Sequence, residues 1–549
     1  MIFRKSDIIQ TYKNKKGVSI VKKLKIKLQK VINNIKTLNN KEKKTIFLVT
    51  IITSMIVHFQ LYALIITGPD TLINSIYHQA DIWEPMLLRF GLDFMQMIKG
   101  NIVSPMLVTL ISSIILGLTV ILTIDLLEIK NKYFKYITAI IFVVAPNISA
   151  TLTFFYCSDA YILGMFLATL SVYIVRKYKD TKWTILISGI LIALALGMYQ
   201  TYLSVTMVLC IATLIVDVLN DKDKKEIGIN IIKYILMGIV GIVIFYIIAY
   251  LTLAFKGLPA SNYSGANSIG METLFELPKL LPEAYQSFFS YYFNDKIIPN
   301  TIWNTNLFYI AIFATVFVSI IYIIIKNKLH KRILNIMLLL LFIIIAPICF
   351  GIIEITVPDV DIHILMACSM IYIFPIFLRI LEILPRNTIE KVLKSVVIFC
   401  SLIIIWNYIW QDNASYIAIN TMQKQTESLA LRLVSQIEQL DGYNQDMPVL
   451  ILGDLKKNSY LDKNNTSIEA KKIYNRTWGF ISDYSTIWSE NLDSWRKILY
   501  EYVGVNINLV SINDNKEILD EDEFKNMNFY PQNDSIKIIN NMVVIKLNK

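Results

Sequence analysis

Along this chain, apolar residues gather into blocks of about 18–24, each long enough to cross a ~30 Å hydrocarbon core as a helix. Eleven such spans are expected, at 46–67, 104–126, 136–154, 158–175, 183–199, 201–217, 231–255, 307–325, 333–351, 362–383 and 392–410. Spans five and six are the hardest to separate, and one long helix broken near Gly197 is the alternative. The pattern changes after residue 410. MPVLILGD (447–454) reads as a buried strand ending at a turn, and VNINLVSIND (505–514) as a second strand. SIKIINNMVVIKLN (535–548) reads as a hairpin about Asn540 and Asn541. The expected fold class is therefore an α-helical polytopic membrane protein of about eleven transmembrane helices, with a small α/β extracytoplasmic C-terminal domain.

Charge supports this span pattern. Residues 1–45 hold fourteen Lys/Arg against two Asp/Glu. Further basic clusters lie at KNKYFK (130–135), RKYKDTK (176–182), DKDKK (221–225), KNKLHKR (326–332) and PRNTIEKVLK (385–394). With eleven spans, all of them fall on the side of the N-terminus, as the positive-inside rule requires of cytoplasmic loops. The expected arrangement is a multi-pass protein of the cell membrane with its N-terminus cytoplasmic. It comprises a basic N-terminal segment (1–45), a transmembrane catalytic domain (46–410) with outer loops 68–103 and 256–306, and an extracytoplasmic domain (411–549). The first span reads as a signal anchor, because its basic leader is too long for a cleavable signal peptide and no small-residue cleavage site follows.

The chain is 55% hydrophobic, with a mean hydropathy of +0.52. The net charge of +11 sits in loops between spans, so a nucleic-acid partner is not expected; the expected environment is the lipid bilayer. The C-terminal segment is mildly acidic, with fifteen Lys/Arg and nineteen Asp/Glu. The five cysteines and four histidines are scattered without disulfide or metal-ligand spacing. No cofactor is expected, with a divalent metal between Asp70 and Asp159 as the alternative.

Non-basic polar motifs gather on the other side. The first outer segment, from Gly68 to Val103, reads as two short interfacial helices broken at Pro85. In ITGPDTLINS, Asp70 follows the first apolar run at once. It suits an N-cap for the next helix, and equally a base that takes a proton from an acceptor hydroxyl. Arg89, in WEPMLLRFGLDF, can snorkel to the interface or grip a phosphate through its bidentate fork. Asp159, in SDAYILG, can cap the fourth span or touch a ligand. Tyr199 and Gln200 lie between two apolar runs, where an amide needs a partner; an interhelical hydrogen bond is the plainer role. Glu354, Asp359, Asp361 and His363 read as a solvated loop, with an acidic site as the alternative.

The order of these residues resembles the bacterial O-antigen glucosyltransferases of the Gtr type II family. An Asp lies just outside span one, followed by Trp83, then Arg89-Phe90-Gly91, then Ser158, Asp159 and Tyr161 heading a span, then Tyr199, Gln200, Tyr202 and Ser204. The resemblance covers about residues 45–410. It implies a glycosyltransferase of the GT-C type, which takes a sugar from a polyprenyl phosphate and passes it to a glycan outside the membrane. On that resemblance Asp70 is the general base, with Asp159 as a further catalytic candidate. Arg89, Trp83, Tyr161, Tyr199 and Gln200 are expected to bind the donor's phosphate and sugar. Family members often carry paired acidic residues after span one, where this chain has Asp70-Thr71; Asp81 or Asp159 are the candidates for the second carboxylate.

The function expected is transfer of a hexose, glucose first among candidates, from a polyprenyl-phosphate donor to a cell-surface glycan, with inversion. The chief rival is a transporter or flippase of a lipid-linked sugar. Such proteins place charges near the bilayer midplane and often repeat one half of the chain. Neither feature is seen here. A lipid-diphosphate-dependent polymerase and a non-enzymatic receptor are the remaining classes.

Overall fold

The computed structural model describes residues 41–64, 82–100, 103–178, 181–261, 271–294, 304–356, 364–453 and 492–548. Helices dominate them. In chain order they are α1 (Lys41–Val57), α2 (Phe59–Ala63), α3 (Trp83–Met86), α4 (Phe90–Ile98), α5 (Pro105–Leu126), α6 (Lys132–Val144) and α7 (Pro146–Leu152). Next come α8 (Ser158–Lys177), α9 (Thr181–Met198), α10 (Tyr202–Leu219), α11 (Lys224–Lys256), α12 (Met271–Phe293), α13 (Thr305–Lys326), α14 (Ile333–Phe350) and α15 (Ile352–Thr356). A 3-10 segment, Ile364–Tyr372, leads into α16 (Ile373–Glu382), and α17 runs unbroken from Thr388 to Glu438.

Among the described residues, eight helices are long and apolar enough to cross a membrane, or nine if the bent pair α6 and α7 counts as one span. That is short of the expected eleven. The first expected span is met by α1, whose 17 residues fall below the length of the others. The fifth is met by a short apolar stretch, Trp183–Met198. Spans five and six are separate helices that end at Met198 and restart at Tyr202. They run in opposite directions, because Asp217 near the end of α10 returns to pair with Arg176 at the end of α8.

The bundle has an inner and an outer shell. Helices α8 and α10, and the run Ile364–Glu382, are mostly buried. They belong to one continuous apolar core that extends from Ile46 to Ile419. Helices α11, α13 and α14 instead turn large apolar side chains outward, among them Ile232, Ile239, Phe317 and Leu340. An apolar surface of that kind is stable against lipid and costly in water.

The two ends of the bundle differ. At one end, the basic loops meet in ion pairs: Lys43 with Asp125, Lys135 with Glu42, Arg176 and Lys222 with Asp217, and Arg332 with Asp221. Glu382 there accepts the backbone N–H groups of Lys130 and Asn131. This is the basic face. The opposite end, the far face, gathers α2, α3, α4, α7, the start of α8 and the α9–α10 junction.

The C-terminal region is built around β1 (Val449–Leu452), β2 (Ile536–Ile539) and β3 (Met542–Lys546). Strand β3 lies between β1, its parallel partner, and β2, its antiparallel one. Asn540 and Asn541 both take positive φ, 51° and 60°. This matches the type I′ hairpin turn that Asn tolerates. The stretch expected as a strand at 505–514 contributes a single parallel bridge, Leu509 to Val449, and then turns into a short 3-10 segment at Ile512–Asp514. Apolar residues of this region pack with Leu429, Leu433 and Ile437 of α17, apart from the core of the bundle.

Candidate active site

The first outer segment is helical where described, with its break at Leu88 instead of the expected Pro85. Pro85 sits in the first turn of α3, where a missing N–H costs nothing. Leu88 takes the left-handed conformation, φ 61°, a helix stop usually left to Gly. Its side chain is buried in the main core, and its N–H and that of Arg89 bond back to the Pro85 and Glu84 carbonyls, both at 2.8 Å. This turn sets the direction of Arg89.

Close packing fixes the next residues against the α9–α10 junction. A Cβ on Gly197 would come within 2.3 Å of the Phe90 ring, and a Cβ on Gly91 within 2.6 Å of the Met198 sulfur. The Gln200 side-chain N–H donates to the Leu87 carbonyl at 2.6 Å. The two motifs RFG and GMYQ, about a hundred residues apart, thus interlock. Gln200 has the plainer of its two roles, an interhelical hydrogen bond, and it braces the turn that carries Arg89.

Arg89 is half-buried. Its guanidinium carbon lies 4.5 Å from the centroid of the Tyr199 ring, and Nη1 is 3.4 Å from the Tyr161 hydroxyl. Tyr161 and Tyr199 stack at 4.8 Å. A cation over an aromatic face gains roughly 0.5–2 kcal/mol, which holds the side chain while leaving most of its donors unused. Nearby, Asp159 is fully buried. It lies in the first turn of α8, whose N-cap position is Cys157. Its Oδ1 accepts from Lys99 Nζ at 2.8 Å, and Lys99 also donates to the Tyr156 carbonyl at 3.1 Å. Trp83, the first residue of α3, is 44% exposed. Asp70 and Asp81 lie outside the described residues, as do Asp359, Asp361 and His363.

Around Arg89 and Lys99, much hydrogen-bonding capacity is unspent. Arg89 Nε, both amide atoms of Gln96, Ser158 Oγ and Asp159 Oδ2 are buried and have no hydrogen-bond partner among the described residues. Each such atom costs about 1–3 kcal/mol. Native proteins leave few of them, and a cluster calls for a reason. The set contains donors and acceptors beside two cations, which suits a phosphate joined to a polyhydroxylated ring.

Sequence reading passed over Lys99 and Gln96. Lys99 was legible as a second cation of the outer segment that carries Arg89, and Gln96 as a polar residue two turns beyond Arg89. A second buried polar group on the far face was also missed. His58 places Nδ1 2.7 Å from the Tyr416 hydroxyl and Nε2 3.0 Å from the Val143 carbonyl. A carbonyl only accepts, so Nε2 carries a proton. Beside Tyr416 lie the fully buried Asp412 and Ser149.

Glu354 lies in α15, not in an open loop. Burial pushes its carboxyl up to about 7, against a lowering by Ser287 and with a further rise from Glu283. Among the described residues no three His, Cys, Asp or Glu side chains converge to hold a metal ion.

A family model described as "Glucosyl transferase GtrII" matches residues 86–378, more than half of the chain. The chain belongs to the GtrII glucosyl transferase family. No curated protein and no solved structure matches it. The GtrII match takes in Arg89, Gln96, Lys99, Asp159, Tyr161, Tyr199 and Gln200, the residues that meet on the far face. It stops short of His58, Asp70 and Trp83 on one side and Asp412 on the other. Membership makes the protein a glycosyltransferase, and its long apolar helices make it a membrane protein.

Proposed function

We propose that this GtrII protein moves glucose from a polyprenyl-phosphate donor to a cell-surface glycan, on the non-cytoplasmic side of the cell membrane. The observation that carries the reading is the meeting of Arg89 and Lys99 with unspent polar atoms at the end of the bundle opposite the basic loops. Basic loops mark the cytoplasmic side, so the cluster faces out.

The donor has three parts with three needs. Its lipid tail lies along the apolar outer surface of the bundle. Its phosphate is held by Arg89 and Lys99, which take up the charge that grows as the sugar–phosphate bond breaks. Its hydroxyls bond to Gln96, Ser158 and the free oxygen of Asp159. Asp70 takes the proton of the acceptor hydroxyl. That oxygen attacks the anomeric carbon opposite the phosphate, the polyprenyl phosphate leaves, and the configuration inverts. Gln200 acts as a positioning residue by holding the Leu87 carbonyl. No cofactor is assigned a step; at Asp159 the Lys99 ammonium supplies the positive charge.

The test uses protein in lipid nanodiscs and a radiolabelled polyprenyl-phosphate glucose, with donor consumption and donor binding both measured. Wild type is expected to consume the donor, and Asp70→Asn to bind it without turnover. Tight binding by wild type with no turnover, even with extracted cell-envelope glycan present, would instead make the protein a carrier of the lipid-linked sugar.

A further inference from the structure

The C-terminal region holds a cavity of about 590 Å³, open to solvent, that has no part in the reaction proposed above. Its size falls within the range of roughly 300–1,000 Å³ typical of small-molecule sites. Three pieces of chain build it, and the local pattern of each explains what it shows to the cavity.

From Asn506 to Leu509 exposed and buried side chains alternate. Ile507 and Leu509 turn into the core beneath, while Asn506 and Asn508 are exposed on the cavity side. A helix, α18 (Leu492–Lys497), continues as a π-turn through Val503. Arg496 and Tyr500 lie one turn apart on its exposed face, and both line the cavity. Gln445 and Asp446, just before β1, supply the third wall. The walls are tied together. Arg496 Nη2 donates to the Leu509 carbonyl at 3.0 Å, and on β1 the Val449 N–H donates to the Asn508 carbonyl while the Val449 carbonyl accepts from the Val510 N–H.

The chemistry is that of a sugar site. Side-chain amides offer a donor and an acceptor on one plane, as adjacent sugar hydroxyls do. Tyr500 is 70% exposed, unusual for a large ring. It presents a flat face on which the C–H side of a pyranose can rest, with its hydroxyl left free to bond. The lining residues that are exposed, Gln445, Asp446, Arg496, Tyr500, Asn506 and Asn508, all carry polar groups, which does not suit a lipid tail. Lys497 is within 3.7 Å of Glu501, so no concentrated positive charge marks a polyphosphate site. Openness to solvent suits one stretch of a long polymer.

We propose that this cavity is an acceptor-holding site that binds a short stretch of neutral or weakly acidic oligosaccharide. It grips the glycan away from the reacting hydroxyl and raises its local concentration at the membrane surface. The identification of its ligand rests on the proposed function, since that supplies the glycan. Its binding residues lie wholly outside the GtrII match.

The test uses the full-length protein in nanodiscs. The probe is the envelope polysaccharide of the producing cells, cut to short oligosaccharides and added without donor; free glucose is the control. Wild type is expected to bind the oligosaccharides, and Tyr500→Ala and the pair Asn506→Ala/Asn508→Ala to bind them roughly tenfold more weakly. Tyr500→Trp keeps a ring and should keep binding, which separates a lost stacking surface from a misfolded domain. In transfer assays the alanine variants should raise the acceptor KM and leave kcat and donor hydrolysis near wild type. Absence of oligosaccharide binding by wild type, or equal binding by all variants, overturns the proposal. Absence of donor consumption by wild type overturns the catalytic reading alone, because binding here is scored without donor.

Discussion

The two faces of the bundle differ in how fully they satisfy their buried polar groups. On the basic face, Asp217 is fully buried yet met by Arg176, Lys222 and Asn230. Glu382 takes two backbone N–H groups and lies 3.6 Å from Arg379. Two buried atoms there, Arg379 Nε and Asn335 Oδ1, lack partners among the described residues. On the far face the comparable atoms form a cluster: Arg89 Nε, both amide atoms of Gln96, Ser158 Oγ and Asp159 Oδ2 lack partners among the described residues. A buried charge with its partners fastens helix ends together. A buried polar group without one weakens the fold and keeps its bonding capacity for something else. On the function proposed above, the difference separates the end of the bundle that anchors from the end that reacts.

The contrast is broken most severely on the basic face. Arg176→Ala leaves Asp217 buried without its closest partner. A loss of about 3–5 kcal/mol in stability is expected, read as a large fall in Tm, while protein that remains folded keeps its kcat. Equal stability would mean that Lys222 alone suffices and that the anchoring role is wrong. On the far face, Arg89→Ala should do the reverse. Transfer is expected to fall about 10²–10³-fold with little change in Tm. Arg89→Lys should restore little, because an ammonium neither stacks on Tyr199 as a plane nor forks onto a phosphate.

Gln96→Leu sharpens the comparison. It replaces an amide with two unspent atoms by an apolar group of similar size. Stability should rise by roughly 1–3 kcal/mol, while donor KM rises. A variant that is more stable and equally active would show that Gln96 has no part in binding. The smallest effect concerns Glu354. Its carboxyl is raised from 4.5 to about 7 by burial, so the fold prefers the protonated form. The associated stability is fully present below about pH 4.5 and is lost as pH rises through about 7. Hydrogen exchange in α15 should therefore quicken over that window, and Glu354→Gln should flatten the dependence.

Much of this was legible along the chain. A run of some twenty apolar residues has one satisfactory form in lipid, a helix that closes its own hydrogen bonds. The helices and their approximate ends therefore follow from local pattern. So does the hairpin at Asn540-Asn541, whose turn needs residues that tolerate positive φ. Loop charge grouped the basic segments, and the structure brings them to one face. The chemistry-bearing residues Arg89, Asp159, Tyr161 and Tyr199 were visible as polar or aromatic interruptions at span ends.

What the chain could not show is which of these groups are already spoken for. Asp159 reads as a cap and is instead the partner of Lys99, sixty residues earlier. Gln200 reads as a ligand contact or a helix link, and its bond to the Leu87 carbonyl makes it a link. Gln96 looks like an ordinary surface amide until packing buries it. Local patterns settle the helices because backbone hydrogen bonding and burial in lipid act within one segment. Tertiary structure alone decides the site, because a side chain's chemistry depends on neighbours brought from far along the chain, and on which hydrogen bonds they leave unmade.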